Sequence, residues 1–329
     1  MTQSTAPEGV RLTPLRAAFQ RGDIDRSALR RAFSGASNQC VQIAEALVGS
    51  GVAGVDVRPD GVTLNLASGV RLRLHEGDEG SAAAIAFCQG DFEAEETKIL
   101  TALCEGRDVF VVVGANFGWF CLLIGRVLRQ HAGHVYAIEP VPQSRDELVA
   151  HVSLNGLADV ISVWSCALGA APGEMELIVP TAFPSAASAR PLHPDLPSDV
   201  VRCPVTTLDL VAAQHGVAKV DVIKCDVEGA ELMVLDGAMG VITRDRPVMM
   251  FELLRKWSQR FGYHPNIVID RLTSLGYRCF AIGKGDVREI GEIDDATVET
   301  NFLFVHGDGV AEFARLEVLR AEIVRRRNA

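Results

Sequence analysis

From Phe92 onward the chain repeats one rhythm: a short apolar run, then an amphipathic stretch at helical spacing, then the next apolar run. Strands are expected at 109–113, 134–139, 160–164, 174–179, 201–205, 220–225, 247–252, 278–282 and 301–305. Helices are expected over 93–104, 118–129, 143–155, 207–215, 229–242, 265–275 and 309–326. Apolar runs without alternation suit strands buried on both faces, and the helices between them supply the crossovers that parallel strands need. The expected fold class is α/β: a mostly parallel, Rossmann-like sheet with helices on both faces. With 48% hydrophobic residues among 329, the chain can bury such a core, which excludes a disordered or fibrous protein.

The first ninety residues read differently, and the chain divides into a small N-terminal α+β module at 1–90 and a larger domain at 91–329. Helical spacing over Ser27–Phe33, and again from Val41 to Leu47, predicts short helices stopped by Gly49 and Gly51. The period then becomes two through Val55 and Val57, a Pro59-Asp60-Gly61 turn, Val62, Leu64 and Leu66, then Val70, Leu72 and Leu74 after Gly69. That pattern predicts a β-meander. No chemistry-bearing cluster stands in this module, so its expected role is structural. Within the larger domain, Pro180–Asp199 carries five prolines and breaks the rhythm. An insert of this kind is either a lid or a surface loop.

Several function classes drop out on charge and pattern. The net charge of −10 arises wholly beyond residue 90, because residues 1–90 hold nine cations and nine anions. Nucleic-acid binding needs clustered cations to displace counterions, and no basic stripe appears beyond Arg325, Arg326 and Arg327. The 17-residue uncharged stretch Val109–Gly125 contains Gly114, Asn116 and Gly118, and is too short and too polar to span a membrane. Met1–Gly9 is polar and lacks the pattern of a signal peptide. Eight scattered cysteines include no Cys-x-x-Cys pair and read as buried thiols in a reducing compartment. The expectation is a soluble, cytoplasmic protein with no nucleic-acid partner.

In an open α/β sheet the ligand lies outside the carboxyl ends of the strands, so the strand ends carry the functional reading. The first strand runs into Gly114-Ala-Asn-Phe-Gly118 and a helix, where glycines allow close approach and free N–H groups can meet an anionic group. It departs from the Gly-x-Gly-x-x-Gly of dinucleotide enzymes, which argues against a dehydrogenase. The second strand ends in Glu139-Pro140, a carboxylate able to accept ribose hydroxyls. The third leads into Ser165-Cys-Ala-Leu-Gly169, a position that can flank an adenine. The densest is Lys224-Cys-Asp-Val-Glu-Gly-Ala-Glu231, where Asp226, Glu228 and Glu231 crowd the end of an apolar strand beside a lysine. The strand Pro247–Phe251 then delivers Glu252 to the same side. His264, in the loop that follows, reads as an ordinary loop histidine.

Together these stretches resemble the FkbM-type family of S-adenosylmethionine-dependent methyltransferases. The resemblance is carried by Gly114-Ala-Asn-Phe-Gly118, Ile138-Glu-Pro140, Thr207-Leu-Asp209, Ile223-Lys-Cys-Asp-Val-Glu-Gly-Ala-Glu231, Leu235-Asp-Gly237 and the Pro247–Glu252 strand, in that order over about residues 92–305. It implies a class I methyltransferase sheet and methyl transfer from S-adenosylmethionine, usually to a hydroxyl of a sugar, polyketide or similar small molecule or glycan. It further implies that Val112, Gly114, Ala115, Asn116 and Gly118 border the methionine end, that Glu139 binds the ribose, and that Cys166 and Ala167 lie near the adenine, with Asp226 close by. One departure stands out: the family pattern usually reads Asp-Val-Gly-Ala-Asn, and Val112 occupies the place of that Asp. A charge-assisted hydrogen bond contributes about 1.5–3 kcal/mol. Its loss weakens cofactor binding roughly ten- to a hundredfold unless another group compensates.

Methyl transfer to oxygen requires alignment of the acceptor and removal of its proton. Asp226, Glu228, Glu231 and Glu252 are the candidates to frame the acceptor, with Asp226 or Glu252 as base. Alternatively, a pair of these carboxylates holds Mg²⁺ that acidifies the hydroxyl. The competing reading is a non-catalytic or cofactor-impaired ligand-binding protein of the same fold, made so by Val112. At the C-terminus, Val310, Phe313, Leu316, Leu319 and Ile323 lie near one helical face, which can pack on its own domain or form a homodimer.

Overall fold

The computed structural model describes residues 12–59, 61–75, 84, 86, 93–182, 184–284 and 286–327. Met1–Gly9, Asp60 of the expected turn, Cys88 and the 90/91 boundary lie outside the described residues, as do the side chains of Leu319, Ile323 and Arg325–Arg327.

The chain opens with α1 (Leu12–Arg21) and α2 (Arg26–Ala46). The two short helices expected over Ser27–Leu47 are one continuous helix of 21 residues, capped by Asp25, whose side chain accepts from Ala28 N–H at 2.6 Å. Three strands follow, β1 (Val52–Arg58), β2 (Gly61–Leu66) and β3 (Arg71–Leu74), paired antiparallel in sequence order as the expected meander.

Then come α3 (Ala94–Cys104), β4 (Val109–Val113), α4 (Trp119–Leu128), β5 (His134–Ile138), α5 (Pro142–Leu154), β6 (Ile161–Trp164), β7 (Ala167–Leu168), β8 (Gly173–Pro180) and β9 (Ser198–Thr206). The remaining elements are α6 (Leu208–Gln214), β10 (Val222–Cys225), α7 (Glu231–Asp236), α8 (Met239–Asp245), β11 (Val248–Glu252), α9 (Arg255–Arg260), α10 (Asn266–Ser274), β12 (Tyr277–Gly283), β13 (Asp286–Ile290), β14 (Asn301–His306) and α11 (Val310–Arg327). Short 3₁₀ turns at Arg129–His131 and Pro184–Ala186 complete the element order.

Eight strands form the main sheet in the order β13-β12-β14-β11-β10-β4-β5-β6. The block β11-β10-β4-β5-β6 is parallel throughout, while β14 pairs antiparallel with both β11 and β12. Along β4 the side chains alternate between two cores. Phe110 and Val112 join one under α3 and α4, whereas Val111 and Val113 join the other under α6, α7, α8 and α10. Burial on both sides is why this strand has no polar residue. Each fully buried side chain of this size stabilises the fold by roughly 1.5–3 kcal/mol.

Expected strands 174–179 and 201–205 leave this sheet: β8 and β9, with the short β7, make a separate sheet of order β7-β9-β8. The expected helix 229–242 is broken into α7 and α8 at Gly237-Ala238, and residue 237 must be glycine there because a side chain would strike the Gly169 carbonyl.

The small N-terminal sheet shares the larger core. Val52, Leu64, Leu66, Val70 and Leu72 are buried in the same cluster as Phe110 and Leu122. Hydrogen bonds hold β3 to α5: Arg71 N–H donates to Asn155 Oδ1 at 2.8 Å, and Arg73 N–H to His151 Nε2 at 2.9 Å. In α11, Leu316 is buried and Phe313 packs on the same core, whereas Val310 is 76% exposed and departs from the expected face. The seven described cysteines are free, and Cys40, expected buried, is exposed on α2. Among the described residues no helix is long and apolar enough to cross a membrane.

Candidate functional site

A cleft of about 260 Å³ opens at the carboxyl ends of β4, β5, β10 and β11, the usual ligand position in such a sheet. One wall is the turn after β4. Gly114 leaves the strand with φ 80, and a Cβ there would lie 2.9 Å from the Asp226 carbonyl carbon and closer still to its oxygen. The β4 and β10 loops can therefore touch only because residue 114 has no side chain. Asn116 follows in the left-handed region at φ 49, an uncommon conformation that Asn tolerates better than most residues. The turn aims Asn116 N–H at Glu139 Oε2, 2.8 Å away, while Val141 N–H donates to Oε1 at 2.8 Å. Burial pushes the Glu139 carboxyl up to about 7 against these two donors. Its oxygens keep further lone pairs for a ligand's hydroxyls.

The opposite wall is the β10 end. Lys224 is buried and stands in register with Val112 of β4. Its Nζ donates to Asp226 Oδ2 at 3.2 Å and sits 5.3 Å from the centre of the Phe120 ring. Burial alone would lower its pKa, but the charges of Asp226, Glu93 and Glu252 hold it above the usual lysine range. Glu252, at the end of β11, is raised well above the carboxylate range by burial and by the Asp226 charge, with Lys224 opposing. Such a carboxyl keeps its proton at neutral pH and shares a hydrogen bond with Asp226. Glu228 lies at φ 50 with a buried Oε2 that has no hydrogen-bond partner, and burial with the charges of Asp226 and Glu231 pushes it up to about 8.

Glu231 has a different place. Its Oε1 accepts from Val227 and Gly229 N–H at 3.2 and 3.0 Å, and its Oε2 from the Tyr263 hydroxyl at 3.0 Å. It braces the acidic loop from behind and does not line the cleft.

Of the residues singled out from sequence, Gly114, Asn116, Glu139, Ala167, Asp226, Glu228 and Glu252 line the cleft. Val112, Ala115, Gly118, Cys166 and Glu231 stand behind it. Val112 points into the core under α3 and α4, and Gly118 backs onto Leu148. His264 is exposed in its loop, its Nδ1 accepting from Asn266 N–H at 3.3 Å.

The proline-rich insert forms part of the cleft: Pro184, Ser185 and Ala187 line it with Met175 and Leu177 of β8, and Ser188 Oγ donates to the Glu228 carbonyl at 3.1 Å. Asp209 of the Thr207-Leu-Asp209 stretch is a cap, accepting from Gly240 and Val241 N–H at 2.8 and 2.7 Å. Sequence reasoning missed Glu93, which also lines the cleft. It precedes a helix whose first turn carries Glu95 and Glu96, where acidic residues are expected for the helix alone.

One oxygen each of Asp226, Glu228 and Glu252 lies within 4.8 Å of the others. The arrangement does not fit Mg²⁺, which seeks octahedral oxygen ligands, because the Lys224 ammonium already neutralises Asp226 and would stand beside the ion.

A sheet of this order, with its cleft at the switch between neighbouring parallel strands and an acidic residue closing the second one, is a class I methyltransferase fold. Residues 113–279, just over half of the chain, match the methyltransferase FkbM domain. The chain belongs to that family, the FkbM-type methyltransferases.

Similar solved structures include a methyltransferase FkbM from Methylobacillus flagellatus KT, with 17% identity over 60% of this chain and 43% of that one, TM-score 0.38. This chain thus spans less than half of that protein's length. An O-methyltransferase from Bacillus cereus, in complex with SAH, shows 9% identity over 82% of this chain and 90% of that one, TM-score 0.38. The O-methyltransferase TomG from Streptomyces achromogenes, involved in tomaymycin synthesis, shows 10% identity over 65% and 80%, TM-score 0.38. No curated protein matches the chain.

Proposed function

We propose that the protein O-methylates a hydroxyl of a small molecule or glycan, such as a sugar or polyketide, with S-adenosylmethionine as donor. The observation that carries this reading is the meeting, in one cleft, of the Asn116–Glu139 wall with the Asp226–Lys224 pair. In this reading Gly114 and Asn116 border the methionine end, Glu139 accepts the ribose hydroxyls and Ala167 lies near the adenine. The cofactor, when bound, supplies a methyl group on a positively charged sulfur.

Asp226 is the base. Lys224 donates to it from one side, while Glu252, which holds its own proton, donates to it and fixes its orientation. Asp226 takes the proton of the acceptor hydroxyl as its oxygen is methylated. Glu228 faces the same space from the loop and is placed to position the acceptor.

The test is turnover with labelled methyl donor across a panel of hydroxyl acceptors. Asp226→Asn is expected to lower kcat by about 10²–10⁴ while cofactor binding survives. Activity is expected to persist in EDTA. Unchanged turnover in Asp226→Asn would remove Asp226 from the reaction.

A further inference from the structure

Glu93 stands immediately before α3, upstream of the stretch that matches the family. Its side chain does nothing for the helix it precedes: the residue sits at φ 45 and makes no capping hydrogen bond. A strained backbone with no local return directs attention to what the side chain meets instead. That side chain lines the cleft, and its Oε2 is buried without a hydrogen-bond partner.

The nearest opposite charge is already engaged, since Lys224 donates to Asp226. β4 contributes no charge here, because the position in register with Lys224 is Val112. Glu93, Asp226 and Glu252 therefore converge on one lysine ammonium, in a cleft that Glu228 also lines. A buried carboxylate with no partner is costly, and a cationic ligand group relieves that cost.

We propose that Glu93 is a cofactor-contact residue, accepting a charge-assisted hydrogen bond from the ammonium at the methionine end of S-adenosylmethionine. It supplies on the α3 side the carboxylate that Val112 does not supply on β4. The assignment rests on the cofactor reading above. Its titration agrees: burial pushes the Glu93 carboxyl up to about 7, with Lys224 opposing, so a bound cation would draw it back down.

Calorimetry with three ligands tests the contact. S-adenosylmethionine and S-adenosylhomocysteine both carry the ammonium, and adenosine lacks it. In Glu93→Gln both ammonium ligands are expected to bind at least about tenfold more weakly, with adenosine unchanged. Affinity of the native protein for S-adenosylhomocysteine is expected to rise between pH 6 and 8 by more than in the variant. An analogue of S-adenosylhomocysteine without its amino group tests the same contact in the native protein, and is expected to bind at least about tenfold more weakly than the parent. Equal affinity of native and variant, or of parent and analogue, would overturn the assignment, as would an equal loss for adenosine, which would make Glu93 a prop of the fold. If the native protein binds none of the three ligands, the cofactor reading itself falls.

Discussion

Gly114→Ala is the sharpest test of how the two strand-end loops are joined. The backbone at 114 has φ 80, and an L-residue in the left-handed region costs roughly 1–2 kcal/mol. The new methyl would also press on the Asp226 carbonyl, a backbone group that cannot rotate away, and overpacking of this kind adds about 1–3 kcal/mol. The sum is about 2–5 kcal/mol. Gly156→Ala is the internal control: it has φ 65 with no heavy atom within 4 Å of its built Cβ, so only the backbone cost of about 1–2 kcal/mol applies. Urea unfolding of both variants gives the difference directly. Gly114→Ala is expected to be the less stable by about 1–3 kcal/mol. It should also lose cofactor affinity, since the new methyl stands in the wall that borders the methionine end in the proposed reading. Equal losses in the two variants would refute the close approach of the β4 and β10 loops.

Lys224→Met leaves Asp226 and its neighbours without their counter-ion and is expected to destabilise by about 3–5 kcal/mol at pH 8. The loss should shrink at pH 5, where Glu93 and Glu228 have gained their protons, and an equal loss at both pH values would contradict the charge balance described. The ligand-free protein should itself lose stability as pH rises from 5 to 9. Folded Glu93, Glu139 and Glu231 titrate near 7 and Glu228 near 8, so over that range the folded state binds more protons than the unfolded one and each deprotonation weakens it. Urea melts across this range in which stability climbs with pH would count against the buried acids.

The parallel block was readable because strands such as Val109–Val113 are apolar on both faces, which few other elements are. The same argument, applied more strictly, would have separated β8 and β9: exposed Glu174 and Glu176 alternate with half-buried Met175 and buried Leu177, and exposed Arg202 stands between half-buried Val201 and buried Cys203, the mark of a sheet covered on one side only. Gly35 hid the continuity of α2, since glycine costs about 1 kcal/mol inside a helix and reads as a break.

At the site, strand-end chemistry located Glu139, Asp226, Glu228 and Glu252, because charges at the ends of apolar strands are conspicuous. It could not separate Glu228, with its orphaned oxygen, from Glu231, which holds two backbone N–H groups and a tyrosine hydroxyl. Glu93 was illegible for another reason: only the tertiary fold brings the start of α3 over the β10 end.

Calorimetry of S-adenosylmethionine and S-adenosylhomocysteine into the native chain and into Val112→Asp tests the central claim most directly. The cleft built on Asn116, Glu139 and the Asp226 loop, with Glu93 supplying the missing carboxylate, predicts that the native chain binds both ligands. Binding to neither protein would contradict the account and leave a ligand-binding protein without methyl-transfer chemistry.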